Sequence, residues 1–212
     1  MTEGSGIERG TRALERLGEG NVRFAAGTGS RFATEEAERR RQLVAGQAPS
    51  AIVLACSDSR VAPAVVFDQG LGDMFVVRVA GNVVAPETLG SIEFAAERLG
   101  TRLVVVLGHT DCGAIAATLT DVIAPAADLS PNLSAITTRI RPAVESVLAT
   151  VDPFDEAEVL ARSVRANVAS SVRALRMESE VIDRLVRNDG LLIVGAEYSL
   201  RTGVVDVFER PD

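Results

Sequence analysis

Five short apolar runs, rich in β-branched residues, punctuate the chain: Ala51–Ala55, Met74–Val79, Leu103–Leu107, Leu191–Gly195 and Val204–Phe208. The first and third are unbroken by any polar residue, as expected of strands buried on both faces of a parallel sheet. The last follows the turn Arg201-Thr-Gly203 and reads as an edge strand. Between these runs the apolar positions fall into helical spacing. Leu14, Leu17, Val22 and Phe24 suit an amphipathic helix from about Thr11 to Ala26, interrupted by Gly18 and Gly20. A second helix is expected from Thr34, a good cap with Glu35 and Glu36 in its first turn, to Ala45, where Gly46-Gln-Ala-Pro49 ends it. Pro63 opens a short helix, Pro86 opens one running to about Leu99, and another starts near Cys112. A loop over Ala124–Pro131 leads to helices at Leu133–Ala149 and Asp155–Val186, parted by Asp152-Pro153.

This alternation predicts an α/β fold: a mainly parallel central sheet of four strands plus an edge strand, flanked by helices. The first helix is expected to extend from that body, with little of its own chain to pack on. No repeat or linker divides the sequence, so residues 1–212 read as a single domain, with 1–10, including Gly4-Ser-Gly6, as a disordered tail.

Composition narrows the function. Hydrophobic residues make up 47 % and charged ones 24 %, a globular balance, and the net charge of -7 argues against a nucleic-acid partner. No apolar stretch approaches the ~20 residues that cross a bilayer, and the opening residues do not resemble a signal peptide. With two cysteines suited to thiolate chemistry, a reducing cytoplasm is the expected compartment. All 22 basic residues are arginine, which excludes a Walker-type phosphate loop and Schiff-base catalysis, since both need lysine. The arginines of the long helix (Arg162, Arg165, Arg173, Arg176) read as a solvated face with intrahelical acidic partners.

The chemistry concentrates in two segments. Cys56-Ser-Asp58-Ser-Arg60 follows the first strand, and Gly108-His109-Thr-Asp-Cys112-Gly113-Ala114 follows the third; together they hold both cysteines and the one histidine. Open α/β sheets place their sites just past the carboxyl ends of strands. Two thiolates and an imidazole suit zinc, and three protein ligands leave a fourth position for water. A free cysteine in an apolar strand is also an ordinary small hydrophobe, and a lone histidine often satisfies only a local hydrogen bond. The residues by themselves leave both readings open.

Those two segments resemble the signature pair of the β-class carbonic anhydrases. Leu17-Gly-Glu-Gly-Asn21-Val-Arg23-Phe24, Phe75-Val-Val-Arg78-Val-Ala-Gly81-Asn82, Ser91-Ile-Glu93-Phe94-Ala and Tyr198-Ser-Leu-Arg-Thr-Gly203 also fit that family, in its order. The resemblance implies a zinc enzyme that reversibly hydrates carbon dioxide to bicarbonate through a zinc-bound hydroxide. Cys56, His109 and Cys112 would hold the metal. Arg60 would keep Asp58 off it so that Asp58 orients the nucleophile, and Asp58 would become a ligand only if the site closes. Gln47 would hydrogen-bond substrate, as in the plant-like subgroup; Phe75 would form an apolar wall, Gly113 would offer its N–H to bicarbonate, and Phe94 would come from the neighbouring subunit of a homodimer or homotetramer. Val79 and Ala80 depart from the family's usual pocket residues, and Val53 stands where a bicarbonate-inhibited subgroup has tryptophan. A hydrolase of carbon disulfide or carbonyl sulfide, or a non-catalytic zinc-stabilised domain, are the alternatives.

Overall fold

The computed structural model describes residues 4–29, 36–124, 129–152 and 155–210. Five strands, β1 (Ala51–Ala55), β2 (Met74–Arg78), β3 (Leu103–His109), β4 (Leu192–Tyr198) and β5 (Val205–Glu209), form one sheet in the order β2-β1-β3-β4-β5. The first four run parallel, and β5 adds antiparallel to β4. This is the expected α/β architecture. β3 continues two residues past the apolar run, so His109 is the strand's last residue rather than lying just past its end.

Alternate residues of the central strands serve opposite faces, as the two-residue period of a strand requires. Ala51, Val53 and Ala55 of β1, with Leu103, Val105 and Leu107 of β3, pack with Ala13 and Leu17 of helix α1 (Gly6–Ala25) and with Phe67. Ile52, Leu54, Val104 and Val106 face the other way. There they meet helices α4 (Pro86–Glu93), α7 (Glu156–Met177) and α8 (Glu180–Asp189). Helix α4 runs on into a turn of π type, Phe94–Arg98. The remaining helices are α2 (Glu36–Gln42), α3 (Pro63–Val66), α5 (Gly113–Ile123) and α6 (Pro131–Leu148). A third apolar cluster, from α5, α6 and α7, closes over the carboxyl end of the sheet and includes Cys56 and Cys112.

Several expectations are corrected. Helix α1 begins at Gly6, where Ser5 and Glu8 form a reciprocal capping box, so residues 6–10 are helical rather than part of a tail. It runs through Gly18 and Gly20 without interruption; a Cβ at Gly20 would lie 1.8 Å from the Phe67 carbonyl oxygen, so the glycine marks a close approach. Nor does the helix lack a surface in its own chain. Leu17 is buried against the sheet, while Val22, expected on the apolar face, is exposed. Buried Asn21 ties the helix down: its amide donates to the carbonyls of Val66 (3.1 Å) and Gly203 (2.8 Å), and its oxygen accepts from the Val205 N–H (2.8 Å). The expected Asp155–Val186 helix is two helices, because the Ser179 hydroxyl accepts from the Ile182 N–H and starts α8 afresh. Helix α6 starts at Pro131 with Ser130 as its cap. Thr34, Glu35 and Pro153 lie outside the described residues.

Of the arginines on α7, Arg162 pairs within the helix with Glu158 (2.6 Å). Arg165 instead spans to the sheet, reaching Glu197 of β4 (3.0 Å) and Asp206 of β5 (2.7 Å) with its guanidinium over the Phe208 ring. Arg176 reaches Asp183 of α8 at 3.5 Å. No helix among the described residues is long and apolar enough to cross a membrane.

Asn21→Ala would leave two carbonyls and one N–H without their partners at a buried junction. The full cost of about 1–3 kcal/mol applies at the buried Val66 carbonyl, and less at the part-buried Gly203 carbonyl and Val205 N–H, which water can reach. Urea unfolding at fixed protomer concentration should show a loss of about 2–4 kcal/mol. A change within ~0.5 kcal/mol, the range of an ordinary surface substitution, would mean that α1 is held by something other than this side chain.

Candidate metal centre

β1 and β3 lie side by side with Ala55 opposite Leu107, so Cys56 emerges from one strand where His109 ends the next. After His109 the backbone turns sharply through Asp111, at φ 57°, a left-handed conformation that aspartate tolerates, and Cys112 caps helix α5. The two sulfurs and the imidazole nitrogen lie within 4.8 Å of one another, and all three residues are buried. The Sγ atoms are 4.0 Å apart. Two sulfurs held at ~2.3 Å by a tetrahedral zinc would be about 3.8 Å apart, so the spacing suits that ion with little movement.

The histidine supplies the sharper test of fit. Its Nδ1 lies 2.9 Å from the Thr110 carbonyl oxygen, which can only accept, so Nδ1 carries the proton and donates it. Thr110 is itself fixed, since its N–H donates to the Tyr198 carbonyl and its hydroxyl accepts from the Leu200 N–H. Nε2 is then the lone-pair nitrogen, and it is buried with no hydrogen-bond partner among the described residues. A buried acceptor aimed at two thiols and otherwise unsatisfied is what a metal ligand looks like without its ion.

The thiols are poised to match. Cys112 hydrogen-bonds Cys56 and holds its thiol far below the ordinary range; burial opposes this, and His109 and the Gly81 N–H assist. The same contact, with burial, pushes Cys112 up, while the amides of Ile115 and Ala114 in the first turn of α5 favour its thiolate. A divalent cation would expel the thiol protons on binding. Burial lowers the His109 pKa, but neighbouring Cys56, the Thr110 carbonyl and Asp58 outweigh it and raise it.

Asp58 faces the cluster, with Oδ2 3.9 Å from His109 Nε2. Arg60 grips it in a fork, Nε to Oδ1 at 2.9 Å and Nη2 to Oδ2 at 2.8 Å, and the Arg60 N–H adds a third bond at 2.9 Å. That grip holds the carboxyl well below the usual range, so Asp58 is ionised and accepts only. Gly113 opens α5 beside Cys112; a Cβ there would meet nothing within 4 Å. Its N–H is one of the first-turn amides that have no intrahelical partner.

Three expected substrate residues are not brought to this cluster by their own chain. Gln47 is exposed and precedes β1. The neighbouring residues bind at the amino end of the sheet, Ser50 N–H to the Asp73 carbonyl and Thr101 hydroxyl to the Pro49 carbonyl, with the whole of β1 between them and Cys56. Phe75 pairs with Ile52, near the start of β1, and packs on Phe94, with ring centroids 6.3 Å apart. Phe94 is 49 % exposed. The strand that carries Phe75, β2, is an open edge of the sheet.

The structure gives supporting roles to residues that the sequence left without one. Arg78 donates to the carbonyls of Cys56 (3.0 Å) and Asp58 (2.7 Å) and so shapes the loop that carries both. The Gly81 N–H donates to Cys56 Sγ at 3.3 Å. Gly81 sits at φ 67°, and a Cβ there would be 2.7 Å from Ile140. Asn167 of α7, fully buried, donates to the Gly81 carbonyl at 2.8 Å, and Ser171 donates to that of Asn82 at 3.1 Å. The legible signal was Ser163, Asn167 and Ser171, a stripe at four-residue spacing along an otherwise apolar face.

Two outcomes follow for metal retention. Purified protein should carry about one zinc per chain, and Cys112→Ser should lose most of it, as read by metal analysis after dialysis. Asn167→Ala, which loosens Gly81 without touching a ligand, should weaken zinc about tenfold or more in chelator competition. Full occupancy in the first variant, or native affinity in a folded second variant, would contradict the arrangement.

Comparison with known proteins identifies the family. Residues 51–205 match the sequence model of the family described as "Carbonic anhydrase". Carbonic anhydrase 2 of Mycobacterium tuberculosis is 38 % identical over 194 residues, covering 90 % of this chain and 89 % of the relative. The carbonic anhydrase of Mycolicibacterium smegmatis is 39 % identical over 198 residues, covering 92 % and 91 %. Among solved structures, a β-carbonic anhydrase of Aspergillus fumigatus superposes with a TM-score of 0.75 at 27 % identity, covering 95 % of this chain and 91 % of the other. A structure described with two tetrameric β-carbonic anhydrases of Sordaria macrospora gives 0.71 at 25 % identity, covering 82 % and 87 %. With the match spanning most of its length and both cysteine segments, the chain belongs to the β-class carbonic anhydrase family.

Proposed function

We propose that the protein is a zinc-dependent enzyme that interconverts carbon dioxide and bicarbonate, with Cys56, His109 and Cys112 as the metal ligands. The observation that carries this reading is the buried, unpartnered Nε2 of His109 facing two thiols. When bound, zinc supplies a nucleophile from water near neutral pH; two thiolate donors make it less acidifying than three imidazoles, so the working pH should lie higher.

The chain's own residues then have separable tasks. Asp58, kept ionised, accepts a hydrogen bond from the attacking water and sets its direction. Arg60 keeps Asp58 in that pose and away from the ligand set. In the closed alternative, Asp58 would turn and become a fourth ligand. The Gly113 N–H is free to donate to an oxygen of the product. The reaction releases one proton per carbon dioxide hydrated, and His109, with its Nδ1 proton given to Thr110, is not available to carry it. External buffer takes that role.

The active form is a homodimer or a larger even assembly. Gln47, Phe75 and Phe94 lie remote from their own chain's candidate ligands, Gln47 exposed ahead of β1 and the two phenylalanines at the open β2 edge, where a second copy could receive them. The reading places the enzyme in the cytoplasm.

Arg60→Ala should separate metal retention from turnover: zinc content unchanged, hydration by stopped flow reduced at least ~100-fold, as is usual when an electrostatic or orienting group is removed. A zinc-loaded variant with near-native rates would defeat the role of the pair. At saturating carbon dioxide, raising buffer concentration should raise the rate; a flat response would reveal an internal proton carrier. Sedimentation at assay concentration should find a dimer or larger, and a fully active monomer would sink the shared site.

A further inference from the structure

At the end of the sheet opposite the ligands, a basin of about 620 Å³ lies between α1 and the turns that enter β1 and β3. Its lining carries five guanidinium groups: Arg9, Arg12 and Arg16 from α1, and Arg98 and Arg102 from the turn before β3. One acidic residue lines it, Glu97, and that carboxylate is engaged by Arg184 at 2.7 Å. In a chain of net charge -7, such a concentration of one sign is not a sample of the average surface.

The five are not equivalent. Arg16 pairs with Asp73 at 2.7 Å, and Arg102 with exposed Asp189 at 3.1 Å. Arg102 is also anchored by the carbonyls of Ala96 and Thr101, and its Nε is buried with no partner among the described residues. Arg12 and Arg98 stand on opposite banks, both exposed, and among the described residues neither has a carboxylate partner. Guanidinium groups gathered in a concave site, two of them uncompensated and two held in place from behind, make a receptor for a multiply charged anion. Their planar forks match phosphate oxygens two at a time.

We propose that this basin binds a small polyanion bearing two or more phosphate groups, at a site separate from the metal centre. The proposal does not depend on which metal the centre holds. Arg12 and Arg98 are the determinants, closing on the anion from either side, and Arg102 forms the fixed floor.

The test is calorimetric titration of the metal-loaded protein with fructose 1,6-bisphosphate, a probe whose separated phosphates chelate zinc poorly, at constant ionic strength. Saturable binding of about one per chain is expected, with Kd below ~1 mM, and sulfate should compete where equal ionic strength of chloride does not. Arg12→Ala/Arg98→Ala should weaken binding at least about tenfold, and Arg12→Lys/Arg98→Lys, which keeps charge but loses the fork, severalfold. Carbon dioxide hydration and the thermal midpoint without ligand should be unchanged in both. The absence of saturable heat up to ~5 mM probe would overturn the proposal. So would native affinity in the alanine variant, which would place the anion elsewhere, the metal included. If the alanine variant does not fold, the lysine variant decides: native affinity there also contradicts the site.

Discussion

The parallel pairing of β1 with β3 is the constraint on which the site depends. Ala55 opposite Leu107 brings Cys56 and the end of β3 into line. A slip of one residue would turn Ile52 and Leu54 onto the face that α1 covers, and Val53 onto the face of α7. Because both faces of these strands are buried by differently shaped helices, such a slip is costly, and the register that packs the core also sets the spacing of the ligands. Fold and chemistry share one cause at this point.

The same sheet lets α7 approach closely enough to support the Cys56–His109–Cys112 cluster. Gly108 and Gly195 leave room where Val168 packs; a Cβ at either would come within 2.8 Å of that valine. Asn167, one residue earlier, can then reach the Gly81 carbonyl, and the Gly81 N–H meets the Cys56 sulfur. Arg78 performs the corresponding task from β2, holding the Cys56–Asp58 loop by its carbonyls while Arg60 holds the Asp58 side chain. Every candidate ligand therefore has a neighbour that limits its motion: Gly81 for Cys56, Thr110 for His109, the first turn of α5 for Cys112. Such support is what holds a site to the narrow geometry that chemistry needs.

The strands and ligand candidates were legible in the sequence because burial on both faces leaves unbroken apolar runs, and because cysteine and histidine are few enough to stand out. Helix ends were less so. Ser179 breaks a helix that apolar spacing alone would carry through, since a cap depends on one hydroxyl rather than on periodicity. Gly18 and Gly20 looked like an interruption because propensity takes no account of a neighbouring backbone; Gly20 is there to let Phe67 approach. Gln47 and Phe94 could be matched to a family pattern, but separation along a strand is invisible in a motif, and both stand away from their own chain's ligands. Arg165 likewise found partners on two strands, which no reading of one helix could anticipate.

X-ray absorption at the zinc edge on the metal-loaded protein probes the ligand set itself, independently of turnover. Two sulfur scatterers at ~2.3 Å and two nitrogen or oxygen scatterers at ~2.0–2.1 Å, one of them showing the outer-shell signature of an imidazole, are expected of Cys56, Cys112, His109 and a water. A shell without sulfur, with one sulfur, or with four would contradict the centre described here.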